Sequence, residues 1–237
     1  MESNHITGNH VGEPLPGPIS REEIHRIIHA RVHRIDHEFT RAFEFINQFK
    51  KSVSFFGSAR LSPGNNHYEK TRELAKKVAL AGYTVITGGG GGIMEAANRG
   101  AFEAGKTSVG LNIRLPAHQP LNSFTTESME FDYFFVRKTA LSFAAEAYLF
   151  FPGGFGTFDE LFEILTLIQT RKIRRVPIIL VGKDYWGELQ KFIATFMHEK
   201  HHAIDELEMS LYTITDDDNE ILEIIKEVPI REPFARH

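Results

Sequence analysis

The sequence predicts an α/β domain in which helices cover both faces of a parallel sheet. Short apolar runs alternate with amphipathic helical segments from Ser52 onward, and this alternation is typical of strand–helix–strand units. Strands of a parallel sheet are buried on both faces, which agrees with runs that few polar residues interrupt. The 237 residues, 42% hydrophobic and 24% charged, have an ordinary globular composition that favours one sizeable domain.

The chain before the predicted sheet has two parts. Residues 1–20 are rich in Gly, Pro, Asn and His and lack a periodic apolar pattern, which predicts a disordered tail. Residues 21–50 carry apolar side chains at spacings of three and four, which predicts an amphipathic helix. We therefore expect an N-terminal helical extension before a single nucleotide-binding domain at 51–237. The extension would pack on the flank of that domain or join a subunit interface.

Strands and helices are predicted to alternate along the domain. The apolar runs that predict strands lie at 53–57, 83–87, 108–113, 130–136, 147–151 and 176–182. The segments with apolar residues at helical spacing lie at 68–81, 93–104, 138–145, 158–170, 185–199 and 219–228. No repeat and no interior linker interrupts this order, which is why one domain is expected.

The composition excludes several kinds of site and partner. The chain has no cysteine, so disulfides, thiolate metal ligands and a cysteine nucleophile are excluded. A formal net charge of -4 gives no electrostatic support for a nucleic-acid partner. No apolar stretch is long enough to span a membrane, and the first residues lack the apolar segment of a signal peptide. We therefore expect a cytoplasmic protein with no membrane partner.

Two of the predicted strands end in glycine clusters. Five consecutive glycines follow the strand at 83–87, and the sequence PGGFGTFDE begins as the strand at 147–151 ends. Open α/β sheets bind ligands beyond the carboxyl ends of their strands. Glycines there let backbone N–H groups approach an anion, and the helix that follows adds partial positive charge. A tight turn needs one glycine, so two clusters favour a mononucleotide pocket over turns alone.

Two standard phosphate-binding motifs are absent from these loops. No lysine follows either glycine cluster, as a P-loop would require. A dinucleotide fingerprint would have its third glycine where Ile93 and Met94 stand, and the first strand ends in GSARLSPGNNHYE instead. The pattern therefore disfavours a dinucleotide.

Charged side chains stand beside both loops. Asp159 and Glu160 fall in the first turn of a predicted helix, where the helix dipole alone favours an acid by about 0.3–1 kcal/mol. Arg137 and Lys138 stand at the end of a predicted strand and the start of a helix, where the dipole disfavours cations. That position favours a binding role, such as contact of Arg137 with a phosphate, a base or a carboxylate.

Three stretches together resemble the Lonely Guy (LOG) family, whose members carry the older description of possible lysine decarboxylases. They are PGGFGTFDE, GGGGGIMEAANRGA and YFFVRK, and the resemblance covers about residues 50–200. It implies a Rossmann-like domain that forms homodimers or larger assemblies. It also implies a hydrolase that splits a nucleoside 5′-monophosphate, either AMP or a cytokinin ribotide, into free base and ribose 5-phosphate. We expect neither a cofactor nor a metal.

The resemblance implies roles by position. Arg137 and Glu160 match the catalytic pair: Glu160 would stabilise a ribosyl oxocarbenium ion or activate water, and Arg137 would orient Glu160 and keep it ionised. The predicted substrate-binding residues are Gly57, Ser58, Gly88, Gly89, Gly90, Gly91, Gly92, Met94, Lys138, Gly153, Gly154, Phe155, Gly156, Thr157, Asp159 and Thr166. Asp159 and His118 stand where many relatives have glutamate, and the second departure concerns recognition of the base.

The main alternative is a protein that carries a nucleotide, or a nucleotide-bearing cofactor such as molybdenum cofactor, without chemistry. A carrier needs the glycine loops but not an acid paired with a guanidinium, so Arg137 and Glu160 favour hydrolysis. Lysine decarboxylation is disfavoured because pyridoxal phosphate needs a Schiff-base lysine. Nothing in the sequence marks Lys138 or Lys172 as desolvated.

Two groups of histidines invite a metal interpretation. HEKHH at 198–202 matches H-E-x-x-H, but it falls at the tail of a predicted helix, which disfavours zinc. His25, His29, His33 and His37 lie four apart on the N-terminal helix, where neighbouring pairs could chelate a metal or become charged together near pH 6. A solvated ridge beside the apolar stripe is the favoured interpretation.

Overall fold

The computed structural model describes residues 19–115 and 120–230. The chain divides into two compact units, of which the first ends at His37 and the second begins at Glu38. Residues 1–18, which make up most of the predicted tail, lie outside the described residues, as does His118.

A long helix, α1 (Arg21–Ile46), begins in the first unit and ends in the second. The Ser20 hydroxyl accepts a hydrogen bond from the Glu23 N–H at 3.2 Å and caps the start of the helix. Several apolar side chains of the first unit are about half exposed, namely Ile24, Ile27, Ile28 and Val32. In the second unit, Glu38, Ala42 and Ile46 are buried.

Seven strands of the described chain form one parallel sheet, which confirms the predicted fold class. The strands are β1 (Ser52–Phe56), β2 (Thr84–Thr87), β3 (Ser108–Ile113), β4 (Glu127–Phe131), β5 (Ala147–Phe150), β6 (Ile178–Leu180) and β7 (Thr213–Ile214). Their order in the sheet is β4-β3-β2-β1-β5-β6-β7. The chain runs outward from β1 to β4 and then returns to the other side of β1. This reversal opens a crevice at the carboxyl ends of β1 and β5, where α/β sheets bind ligands.

Helices follow most of the strands. They are α2 (Asn66–Leu80), α3 (Ile93–Glu103), α4 (Phe134–Ser142), α5 (Phe155–Gln169), α6 (Lys183–Phe192) and α7 (Asp218–Lys226). A π-helix, Ile193–Lys200, continues α6, and a 3₁₀ helix, Glu206–Ser210, lies before β7. In the described chain, no helix combines the length and the apolar character needed to cross a membrane.

The core lies on both faces of the sheet. On one face, Val53 and Phe55 of β1 belong to a buried cluster with apolar side chains of α2, α3 and α7. On the other face, the rings of Phe56 and Phe150 stack with centroids 4.8 Å apart. There, the Tyr148 hydroxyl donates to the carbonyl of Ser142, the last residue of α4, at 2.6 Å. The predicted arrangement, with helices on both faces, follows from these contacts.

The structure corrects the prediction of a strand at 130–136. β4 ends at Phe131, and α4 already begins at Phe134, so Arg137 lies within a helix. The aromatic run YFF has strand propensity, but tertiary contacts override it. The Glu38 carboxylate accepts hydrogen bonds from the backbone N–H groups of Asp132 and Tyr133, which lie directly before the helix.

Candidate active site

A cavity of about 600 Å³ lies at the carboxyl ends of β1 and β5. Its walls come from the ends of β1 and β3, from the loops after β1, β2, β3 and β5, and from the helices α3, α4 and α5. Ten of the predicted site residues line it: Gly57, Ser58, Gly88, Met94, Arg137, Gly154, Phe155, Gly156, Thr157 and Glu160. The structure thus brings Arg137 and Glu160 together with one predicted phosphate loop.

The other predicted contacts lie outside this lining. They are Gly89, Gly90, Gly91, Gly92, Lys138, Gly153, Asp159 and Thr166. The carbonyls of Gly89 and Gly90 accept hydrogen bonds from Asn122, so this part of the glycine run is held by the protein itself. Lys138 forms ion pairs with Asp159 at 2.7 Å and with Glu163 at 3.3 Å. A substrate contact by any of these eight residues stays a prediction.

Backbone hydrogen bonds tie the loops around the cavity together. The Ser58 N–H donates to the Pro152 carbonyl at 3.0 Å, and the Ser58 carbonyl accepts from the Ile93 N–H at 2.9 Å. Ser58 therefore links the loop after β1 to both glycine loops. The Tyr185 hydroxyl of α6 adds a hydrogen bond of 2.6 Å to the Gly153 carbonyl. The loops after β1, β2 and β5 are thus joined by hydrogen bonds within the protein itself.

Two glycines of the run after β2 are required by their surroundings. Gly92 has a φ of 68°, and a Cβ there would collide with the carbonyl of Ser58. At Gly88 an added Cβ would collide with the guanidinium of Arg137. Position 88 therefore needs glycine, because a larger residue would displace the guanidinium of Arg137.

Gly154 and Gly156 are different because a Cβ at either position would meet no protein atom within 4 Å. Packing of the chain against itself therefore does not explain these glycines. They flank the start of α5, whose unpaired N–H groups and partial positive charge suit an anion. Phe155, between them, is 97% exposed. The open space leaves room for a ligand to approach the backbone at the start of α5.

Arg137 reaches the cavity from the first turn of α4. Its Nε–H donates to the Leu111 carbonyl at 2.6 Å, and Nη2 donates to the Gly88 carbonyl at 3.3 Å. These bonds fix the guanidinium and leave further N–H groups for a ligand, since arginine has five donors. Burial lowers the pKa of Arg137, and the nearby Glu160 carboxylate acts in the opposite direction.

Glu160 faces the same cavity from α5 and is only 6% exposed. Burial raises the pKa of Glu160 to about 7, although the positive charge of Arg137 acts to lower it. Its Oε2 atom has no hydrogen-bond partner among the described residues. A buried carboxylate in this setting exchanges a proton near neutral pH, which is the property that a general acid or base requires.

The structure changes one expectation about this pair. The guanidinium of Arg137 is held by two carbonyl oxygens rather than by Glu160, so it does not orient the carboxylate directly. The positive charge of Arg137 favours the ionised form of Glu160, as expected, but burial acts more strongly in the opposite direction and raises the pKa of this carboxyl. The pair shares one cavity and interacts through space.

Sequence reasoning missed part of the cavity. Arg60 lines it and is exposed, and its guanidinium has no ion pair with any described residue. Apolar side chains form one wall, namely Ile113, Leu115, Phe134 and Leu141, with Asn112 beside them. The stretch GSAR at the end of β1 was the available signal for Arg60. The apolar wall gives no local signal because its members come from two separate segments, the end of β3 with the residues after it and α4.

The histidine motif at 198–202 does not form a zinc site of the H-E-x-x-H type. His198 lies in the last turn of the π-helix, where its Nδ1 atom is 3.2 Å from the Ile204 carbonyl oxygen. His202 lies beyond the helix end with a φ of 49°. In residues 19–115 and 120–230, no group of three His, Cys, Asp or Glu side chains is placed to hold a metal ion.

Comparison with known sequences identifies the family. A family model described as possible lysine decarboxylase matches residues 94–225, which is more than half of the chain. The protein therefore belongs to this family, and the resemblance inferred from the three motifs is confirmed.

Two curated relatives are similar at modest identity. The chain is 27% identical over 158 residues to the probable cytokinin riboside 5′-monophosphate phosphoribohydrolase LOGL3 of Oryza sativa subsp. japonica, covering 65% of this chain and 73% of that protein. It is 28% identical over 160 residues to the pyrimidine/purine nucleotide 5′-monophosphate nucleosidase of Escherichia coli strain K12. That second match covers 60% of this chain and 35% of the nucleosidase.

A solved structure supports the fold assignment. The molybdenum cofactor carrier protein of Chlamydomonas reinhardtii aligns with a TM-score of 0.57 and 21% identity, over 75% of this chain and 97% of that one. At this identity the similarity shows a shared Rossmann-like fold.

Proposed function

We propose that this protein is a nucleoside 5′-monophosphate phosphoribohydrolase, which cleaves the N-glycosidic bond to give free base and ribose 5-phosphate. The observation that carries the proposal is a single cavity that holds a buried carboxylate with a perturbed pKa, a fixed guanidinium and an open helix N-terminus. The names of the two curated relatives support the same reaction class.

The 5′-phosphate would bind at the start of α5. Gly154 and Gly156 would supply backbone N–H groups, and Thr157 would add its hydroxyl, since the Thr157 N–H already donates to the Gly154 carbonyl at 3.0 Å. Arg60 would pair with the phosphate, since its guanidinium has no other ion pair in the described chain and lines the same cavity. Binding energy from this non-reacting group would hold the sugar in position.

The base would lie against the apolar wall of the cavity. Ile113, Leu115 and Phe134 would contact its faces, and the Asn112 amide could hydrogen-bond to its edge. AMP, or an AMP whose base carries an apolar substituent as in cytokinin ribotides, suits such a wall. The preferred base follows from the amount of free base that the protein releases from each nucleoside monophosphate.

The ribosyl C1′ atom would lie within reach of Glu160. The C1′–N bond breaks and its electron pair leaves with the base, while the oxygen of a water molecule bonds to C1′. The Glu160 carboxylate accepts a proton from that water and stabilises the positive charge that develops on the sugar. The proton then passes to the departing base nitrogen. Arg137 would supply fixed hydrogen-bond donors to the substrate beside this centre.

A carrier that binds nucleotide without cleavage is the alternative, and the carrier from Chlamydomonas reinhardtii shares the fold. A carrier would gain nothing from Glu160, because it costs stability to bury a carboxylate whose Oε2 atom has no hydrogen-bond partner among the described residues. The buried acid therefore favours hydrolysis over carriage.

The test is a substrate panel with the pure protein. AMP, GMP, IMP, CMP and UMP are incubated separately, and free base is measured by chromatography with adenosine and ATP as controls. Release of base from at least one monophosphate, and from neither control, is the expected result. Binding of a monophosphate without any release of base would favour the carrier instead.

A further inference from the structure

A buried carboxylate of the helical extension caps the helix that carries Arg137. Glu38 lies in the part of α1 that belongs to the second unit and is 7% exposed. Its Oε1 atom accepts the Asp132 N–H at 2.7 Å, and its Oε2 atom accepts the Tyr133 N–H at 3.1 Å. Both carboxylate oxygens therefore accept hydrogen bonds from two consecutive backbone N–H groups directly before α4.

The sequence of α4 provides no cap of its own. Tyr133 stands at the N-cap position, and its side chain makes no capping hydrogen bond. The first turn also contains no acid. Glu38 therefore supplies, from 94 residues away, both the acceptors and the negative charge that a helix N-terminus favours.

Arg137 lies directly behind this cap. The Arg137 N–H donates to the Tyr133 carbonyl at 3.2 Å, so the capped residue and the arginine share one helical turn. Aromatic contacts reinforce the position of α4. The ring of Phe39 lies 6.2 Å from that of Phe135, and the ring of Phe43 lies 6.0 Å from that of Phe143. α1 therefore holds α4 at both of its ends.

We infer that Glu38 is a positioning residue for the proposed reaction: it fixes the N-terminus of α4 and thereby sets where the Arg137 guanidinium stands in the cavity. This inference rests on the proposed function for its kinetic consequence. A misplacement of about 1 Å at a reacting centre costs roughly 10²-fold in rate. Glu38 is not among the residues that line the cavity, and its hydrogen bonds go to the backbone directly before α4, so it would act through that helix.

The test compares Glu38→Gln and Glu38→Ala with a matched control, Asp217→Asn. Asp217 caps α7 through the Asn219 N–H at 2.8 Å, and the cavity lining includes no residue of α7. We expect kcat for AMP to fall about tenfold in Glu38→Gln, which keeps one acceptor, and about 100-fold in Glu38→Ala. KM should change less, because the phosphate loop is untouched. Asp217→Asn, which keeps the N-cap acceptor and loses the charge, should lower Tm slightly and leave kcat unchanged.

A readout that does not depend on activity accompanies the kinetics. The Nε–H of Arg137, bonded to the Leu111 carbonyl, gives a ¹⁵N NMR signal that Arg137→Lys identifies by its loss. This signal should move in both Glu38 variants and stay in place in Asp217→Asn. An unmoved signal in Glu38→Gln, which keeps the shape of the side chain, would overturn the inference, as would full kcat with a lowered Tm. If the wild-type protein cleaves no nucleotide, the proposed function fails while the NMR result still decides the role of Glu38.

Discussion

Replacement of Glu160 by glutamine should raise stability at the same time as it removes activity. The carboxylate is buried, and its pKa of about 7 lies well above its ordinary value of 4.5. Between these two values the folded protein binds a proton that the unfolded chain has released. The stability of the folded state therefore falls as pH rises through this window, and the full cost is present above about pH 7. Glutamine has nearly the same shape and carries no charge to desolvate.

The size of the effect follows from the shift. A pKa raised from 4.5 to about 7 corresponds to a loss of about 3 kcal/mol in unfolding free energy at pH values where Glu160 is ionised in both the folded and the unfolded protein. The unfolding free energy of Glu160→Gln minus that of wild type should therefore increase by about 2 to 3 kcal/mol when the pH is raised from about 5 to about 8. The cost of burying the glutamine amide does not depend on pH, so it is the same at both pH values and cancels from this difference.

Urea denaturation at the two pH values measures this difference. Glu188→Gln is the control, since Glu188 is an exposed acid whose one ion pair within residues 19–115 and 120–230 is with Lys191 on the surface. Exposed pairs contribute about 0–1 kcal/mol, so the control should keep the wild-type pH profile. Release of base from AMP by Glu160→Gln should fall by about 10²–10⁴-fold. Parallel pH profiles for wild type and Glu160→Gln would refute the burial argument and remove its support for a general base.

Three further predictions test the cavity. Gly156→Ala should keep or raise stability by up to about 1 kcal/mol, because the residue is helical, yet raise KM for AMP roughly tenfold or more. Gly187→Ala in α6 is its control, with the same helical gain and an unchanged KM. Arg60→Ala should raise KM for AMP about tenfold, as expected for a lost charge-assisted bond, and leave weak binding of adenosine unaffected; equal losses for both ligands would contradict a phosphate contact. The wild-type kcat/KM should rise with pH through about 7 as Glu160 ionises, whereas nucleotide binding by Glu160→Gln should report only the phosphate titration near pH 6.

The sheet was predictable because its strands are continuous apolar runs and its loops contain glycine clusters. The runs VSFF, TVIT and AYLF lie within β1, β2 and β5. They could be recognised because strands of a parallel sheet are buried on both faces and therefore consist mostly of apolar residues. β7 was missed because two residues, Thr213–Ile214, give too short a signal. The start of α4 was misplaced because its cap, Glu38, is remote in sequence and its first residues are aromatic.

The site was predictable to the extent that it follows from local motifs. PGGFGTFDE correctly indicated a loop and a helix start that face one cavity with Glu160. The pKa of Glu160 was not predictable, because desolvation depends on side chains from several elements. The ion pair between Lys138 and Asp159, which joins α4 and α5, was not predictable because it depends on how the two helices pack. The assignment of both residues to the substrate stays a prediction.

The most direct test of the account is a crystal structure of Glu160→Gln with AMP. The account predicts the phosphate at the turn formed by Gly154, Gly156 and Thr157, with Arg60 against it. It also predicts the C1′ atom beside residue 160, with the Arg137 guanidinium in contact with the nucleotide. A nucleotide bound elsewhere, or one whose sugar points away from residue 160, would contradict the assignment of this cavity as the active site.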